Sequence, residues 1–166
     1  MHYYLSLGTN IRPEENAVQM VKALTIHFVE IVCFPFIYTQ PHAMETPHTF
    51  LNTVAVIKSD LDCIEVKNHL NAIEESLGRD RSDPQRSVKD RTADIDILGR
   101  TTEMEDDFFS QFKQSYVRDV IANNFTGVDL SKWGLPPSEG AATIYFNAAS
   151  GHIVVVDNAN DGLVNR

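Results

Sequence analysis

The chain has 166 residues, of which 43% are apolar and 22% charged, with a formal net charge of −9. That size and composition suit one globular domain with a sizeable core. No apolar run is long enough for a bilayer span, so a membrane partner is not expected, and the acidic balance argues against a nucleic-acid surface.

Residues 2 to 8 read as a first strand ended by Gly8-Thr9-Asn10. Pro13 suits the first turn of a helix, and Ala17, Met20, Val21, Leu24 and Phe28 mark one face of it over about 13 to 26. "VEIVCFPFIYTQ" (29 to 40) is β-rich, with Pro35 suggesting an edge strand or a bulge. A Pro- and His-rich loop, "PHAMETPHT", leads to a third strand, "FLNTVAVIK" (50 to 58). A second helix starts at a capping box of Asp62 and Glu65, buries Val66, Leu70, Ile73 and Leu77, and closes at Gly78. "TADIDIL" adds the next strand and completes βαββαβ, the split βαβ order of an α+β ferredoxin-like sheet, with helices on one face and the other face free for ligand.

After Gly99 the texture changes. "TTEMEDD" is an acidic linker, and 107 to 123 reads as one helix with Phe109, Phe112, Tyr116 and Val120 along one side. A loop with "KWGLPPSEG" precedes a closing hairpin, "ATIYFNAASGHIVVVD", turned at Ser150-Gly151. There is no internal repeat, and the expectation is a single domain over 1–166. The two cysteines, Cys33 and Cys63, lack metal spacing and read as buried free thiols in a reducing cytoplasm. The chain opens directly on strand-like "HYYLSLG", with no basic region or cleavage site of a secretory signal.

The informative stretch is "DRTADIDIL". A strand places Asp94 and Asp96 on one side, roughly 6.5 Å apart, while Ala93, Ile95 and Ile97 face the other way. Asp is depleted in strands, so the pair needs a compensating partner. Two readings stand at this point, a solvated edge and a cradle for a divalent metal. Five of the fourteen Lys and Arg residues (Arg79, Arg81, Arg86, Lys89, Arg91) fall just before the pair. They attract an anionic ligand of limited size, although such a run is also what a solvated loop looks like. Glycine-rich phosphate loops, HExxH and GxSxG motifs are all missing from the sequence. What remains is Glu74 on the second helix, the basic loop and the aspartates. Phosphoryl-type transfer needs in-line positioning and neutralisation of phosphate charge. Carboxylates suit Mg²⁺, and arginine forks suit phosphate. The loop between Gly78 and Asp90 is long enough to close over a ligand.

These residues carry a resemblance. "YYLSLGTN", "IYTQP", "FLNTVAVIKSDL", "IEESLGRDR" and "DRTADIDIL" stand in the order of the 6-hydroxymethyl-7,8-dihydropterin pyrophosphokinase family, over Met1 to about Arg100. Residues 1–100 then form the core and 101–166 a divergent extension. The resemblance implies pyrophosphoryl transfer from ATP to the hydroxymethyl group of a reduced pterin, with release of AMP. It implies that Asp94 and Asp96 coordinate two Mg²⁺ ions, with Asp94 also near the pterin hydroxymethyl. Arg79 and Arg91 match arginines on the ATP phosphates, Arg81 a basic position of the mobile loop, and Glu74 a helix glutamate on the nucleotide side. Asn52 matches an asparagine that reads the pterin edge, and Phe50 an aromatic that stacks on its ring.

The departures are also legible. Where the family usually reads R-W-G-P-R-T, this chain reads R-S-V-K-D-R-T, so an acidic Asp90 abuts Arg91 and is expected to weaken its grip on phosphate. Beyond Gly99 the family's second stacking aromatic is not recognisable, and Trp133 in "KWGLPP" is a candidate replacement. Two alternatives therefore remain: a non-catalytic relative that binds a nucleotide or pterin, and a transferase acting on another hydroxyl acceptor.

Overall fold

A computed structural model describes residues 1–28, 30–41, 44–105, 107–122, 127–135, 142–147 and 152–157, the last two segments as backbone only. Strands β1 (His2–Thr9), β2 (Glu30–Cys33), β3 (Ile37–Thr39), β4 (Phe50–Lys58), β5 (Asp94–Thr101), β6 (Ala142–Asn147) and β7 (His152–Asp157) form one seven-stranded sheet. Its order is β5-β1-β4-β2-β6-β7, with β3 also paired to β4. Helices α1 (Pro13–His27) and α2 (Cys63–Ser76) connect the strands of the core. The neighbours β5-β1-β4-β2 are all antiparallel. This is the α+β ferredoxin-like arrangement expected from βαββαβ.

Local chemistry explains the element boundaries. The Asp62 carboxylate accepts the N–H groups of Ile64 and Glu65 at 2.8 and 2.9 Å, and Glu65 accepts the Asp62 N–H at 2.9 Å, so the capping box is closed in both directions. Gly78, at φ 91°, takes the left-handed turn after α2. The aromatic segment at 29–40 splits at Pro35, which has no N–H to give to a ladder. β2 and β3 then pair with different stretches of β4. Between them the Thr53 hydroxyl donates to the carbonyls of Phe34 and Pro35 at 2.8 and 3.1 Å.

The pleat sends alternate residues to two cores. On one face Tyr3, Leu5, Leu7, Leu51, Ala55 and Ile57 meet the apolar stripes of α1 and α2. The expected stripe of α1, Ala17 through Phe28, is buried throughout. On the other face Tyr4, Val54 and Val56 meet Phe109, Val117 and Val120. The second face is therefore not free along its length. The segment after β5 folds back across it, and the end that carries Ser6, Gly8, Asn52, Asp94 and Asp96 lines an open cleft.

Other sequence expectations need correcting. Residues 107 to 123 do not form one helix. A short 3₁₀ turn, Phe108–Gln111, is separated from α3, Ser115–Ile121, by extended Phe112. The cause is tertiary: Phe108 stacks on Tyr4 with ring centroids 3.7 Å apart, Phe109 meets the same ring edge-on at 5.4 Å, and both contacts outweigh the helical period. Gly99 makes room for this, since a Cβ there would lie 2.5 Å from the Phe108 ring. Of the cysteines only Cys33 is buried, its thiol pushed up to about 12 by burial. Cys63 is exposed because it is the first residue of α2, ahead of the buried stripe. The expected closing hairpin forms, with β6 antiparallel to β7, and β6 also pairs with β2, which extends the main sheet. Its Ser150-Gly151 turn lies outside the described residues. Among the described residues no helix is long and apolar enough to cross a membrane.

Candidate functional site

Asp94 and Asp96 open β5 and point to the open end of the second face, as their parity requires, while Ile95 is buried among the helices. The two carboxylates live in different surroundings. Asp94 is 24% exposed and receives Arg79 on one oxygen and Arg91 on the other, the latter at 2.6 Å. Burial acts to raise its pKa, but the Arg79 hydrogen bond and the charges of Arg91 and Arg79 outweigh that and hold it below the usual carboxylate range. Asp96 is 63% exposed and meets the Lys67 ammonium at 3.2 Å.

Glu74 lies behind the pair with its side chain 1% exposed. One oxygen accepts the Ile95 N–H at 2.7 Å, from the residue between the two aspartates, and stands 3.3 Å from Arg79. The other oxygen accepts Arg81. Burial raises the Glu74 carboxyl, and the Ile95 N–H and the two guanidinium groups only partly reverse the shift. Glu74, which the resemblance puts on the nucleotide side, thus faces protein groups and meets the arginines from beneath. Arg79 also donates to the Ala93 carbonyl at 2.9 Å.

Arg91 borders two adjoining clefts. One, of about 180 Å³, is lined by the cationic side chains of Arg79, Arg86, Lys89 and Arg91 and by the carboxylates of Asp80, Asp83 and Asp90. The other, of about 350 Å³, holds Asp94, Asp96, Phe50, Asn52, Met44 and Tyr116. Phe50 presents its ring beneath the Arg91 guanidinium, 5.7 Å from the ring centroid. The Asn52 amide donates to the Thr39 hydroxyl at 2.5 Å and lies over Gly8, where a Cβ would meet its Oδ1 at 2.5 Å. All eight residues singled out by sequence, Phe50, Asn52, Glu74, Arg79, Arg81, Arg91, Asp94 and Asp96, thus gather around this end of the sheet.

Sequence reasoning missed two members. Tyr116, on α3, lines the acidic cleft and shares a 2.6 Å hydrogen bond with Ser6. Burial raises its pKa, Ser6 works against this, and Asp96 and Asp94 add to the rise, so the phenol keeps its proton. The only hint was its place in the aromatic stripe of 107–123. Lys67 was hidden on the polar face of α2. Trp133 does not supply the sought aromatic: its 3₁₀ turn, Ser131–Trp133, stands against α1, and Leu130 and Leu135 beside it join the helical core on the opposite face.

Among the described residues no three His, Cys, Asp or Glu side chains gather as a metal cage. The donor set nevertheless fits Mg²⁺, which is commonly held by one or two carboxylates together with waters and substrate phosphates. Oxygen donors stand at Asp94 and Asp96, and the adjoining arginines suit the phosphates.

The site is thus an α+β sheet end that carries two carboxylates, Asp94 held by two guanidinium groups and Asp96 by an ammonium, a donor set suited to a metal and an anionic ligand. The chain belongs to the 7,8-dihydro-6-hydroxymethylpterin-pyrophosphokinase family, whose model matches residues 4–113. It is similar to the 2-amino-4-hydroxy-6-hydroxymethyldihydropteridine pyrophosphokinases of two strains of Porphyromonas gingivalis, at 33% identity over 99 residues. The match takes in 57% of this chain and 66% of each relative, just under two thirds of their length.

Proposed function

We propose that the protein transfers pyrophosphate from MgATP to the hydroxymethyl group of 6-hydroxymethyl-7,8-dihydropterin, a step of folate biosynthesis, in the cytoplasm and as a single domain over 1–166. Its partners are then small molecules, ATP and the reduced pterin. The observation that carries this reading is Asp94, held in one cleft by Arg79 and by Arg91, which also lines the adjoining arginine-bearing cleft.

The acceptor hydroxyl gives up its proton to water, its oxygen attacks the β-phosphorus, the bond from that phosphorus to the α,β-bridging oxygen breaks, and AMP departs. Arg79 and Arg91 exchange Asp94 for phosphate oxygens and offset the charge that builds there. Asp94 and Asp96 would hold the two Mg²⁺ ions, which when bound would acidify the hydroxyl and screen the phosphates. Arg81 closes from the basic loop, and Glu74 keeps Arg79 and Arg81 in place from beneath. Phe50 and Asn52 receive the pterin, the ring by stacking and the amide by hydrogen bonds to its edge.

The test is AMP release from ATP, followed with and without the reduced hydroxymethylpterin. AMP formation that depends on the pterin is the expected result. Binding without turnover supports a non-catalytic relative, and turnover with a different alcohol supports another acceptor; either outcome contradicts the proposal.

A further inference from the structure

Asp90 has an arginine as its chain neighbour, yet the two side chains are not paired. The Asp90 carboxylate turns the other way. Its Oδ1 accepts the Asn10 amide at 2.7 Å and its Oδ2 meets His48 Nδ1 at 2.5 Å. Hydrogen bonding from Thr46 is the largest influence on its acidity, burial opposes it, and His48 and Asn10 add to it, leaving the carboxyl below its ordinary value.

Asn10 completes the link. It is buried, its Oδ1 accepts the Arg91 N–H at 2.8 Å, and its own N–H donates to the Arg91 carbonyl at 3.1 Å, with Ile11 N–H on the same oxygen at 3.4 Å. One carboxylate thus joins the turn after β1, the segment before β4 and the end of the basic loop. Arg91, fixed by its backbone, is free to run its side chain to Asp94 and the Ser87 carbonyl, the latter at 2.7 Å.

We propose that Asp90 is a positioning residue that ties the basic loop to the segment 44–50 and so fixes Arg91, instead of competing with phosphate for it. The choice of ligand rests on the function proposed above, whereas the tie itself is a property of the free chain. The two views of Asp90 predict opposite signs. A competitor for Arg91 would, once removed, let nucleotide bind more tightly; a tie would, once removed, let it bind more weakly.

The experiment uses the full chain with D90A, D90N, H48A and the D90A/H48A pair. Calorimetry with Mg²⁺ and a non-hydrolysable ATP analogue gives Kd, steady-state kinetics give KM and kcat, and hydrogen exchange is followed in the free proteins. D90A is expected to weaken the analogue roughly tenfold and raise the KM for ATP similarly, with kcat changed less than about threefold. D90N is expected to recover part of the loss through the Asn10 bond, and the double variant to be no weaker than D90A, since both changes break one contact. Analogue binding by D90A as tight as wild type or tighter overturns the proposal, as do fully additive effects of D90A and H48A. A wild-type chain that does not bind the analogue contradicts the proposed function instead. Exchange then decides the tie alone: faster exchange in both 44–50 and 79–91 on D90A supports it, and a change in one segment or neither overturns it.

Discussion

Glu74 accepts the backbone N–H of Ile95, so a buried helix carboxylate holds the peptide group that joins Asp94 to Ile95. The same side chain receives Arg79 and Arg81. Removing it strands a buried N–H and takes from Arg81 its carboxylate and from Arg79 one of two, and breaking a buried pair from one side is costly. E74A is expected to lower stability by about 3 kcal/mol, and E74Q by less because its amide oxygen still accepts the Ile95 N–H. Urea denaturation of the variants checks this, and an unchanged midpoint in E74A contradicts the anchoring role.

Asp94 and Asp96 are predicted to separate in stability while agreeing in activity. Each change to Ala is expected to reduce turnover at least about a hundredfold, as loss of a group facing transition-state charge does. D96A, at an exposed position, should keep its stability within about 0.5 kcal/mol. D94A leaves two arginines without their shared carboxylate and should melt lower. Kinetics and thermal melts on the same preparations make the comparison; D96A with full activity removes Asp96 from the site.

Acid should expose the Asp94 pairing. A carboxylate held below its ordinary value contributes stability that is complete above the unfolded value, about 3.9, and is lost as pH falls through the folded one. Glu74, raised by burial, has the opposite sign: its contribution is complete below the unfolded value and is lost as pH rises through the folded one. The stability difference between wild type and D94N is therefore expected to be flat above about pH 5 and to shrink below about pH 4. Urea midpoints across that range measure it, and a difference independent of pH means that Asp94 is not held down by its arginines.

Much of this arrangement was readable because it is local. The Asp62–Glu65 box, the buried stripes of α1 and α2, and the parity that puts Asp94 and Asp96 on one face depend on neighbours within a turn or a pleat. What escaped depends on contacts across the chain. Phe108 and Phe109 look helical until Tyr4 is beside them, Tyr116 looks like core until Ser6 is found next to it, and Asp90 looks like a competitor of Arg91 until Asn10 and His48 are seen to take both its oxygens. Cys63 was misplaced for a related reason: an apolar neighbourhood in sequence does not say which side of the first helical turn faces out.

Two glycines give steric tests of the same geometry. G8A would drive a methyl group against Asn52 and is expected to raise the KM for the pterin several-fold while the fold survives, since only the tip of one side chain must move. G99A would push on Phe108 and should loosen the 108–121 segment from Tyr4, costing about 2 kcal/mol. Pterin titration reads the first and thermal melting the second. An unchanged KM in G8A removes Asn52 from the acceptor pocket.

The most direct measurement is a crystal structure of the chain with Mg²⁺ and a non-hydrolysable ATP analogue. The account predicts metal on the oxygens of Asp94 and Asp96, with Arg79 and Arg91 moved from Asp94 to the phosphates. A bound nucleotide that leaves both arginines on Asp94 and Asp96 in open solvent would contradict it.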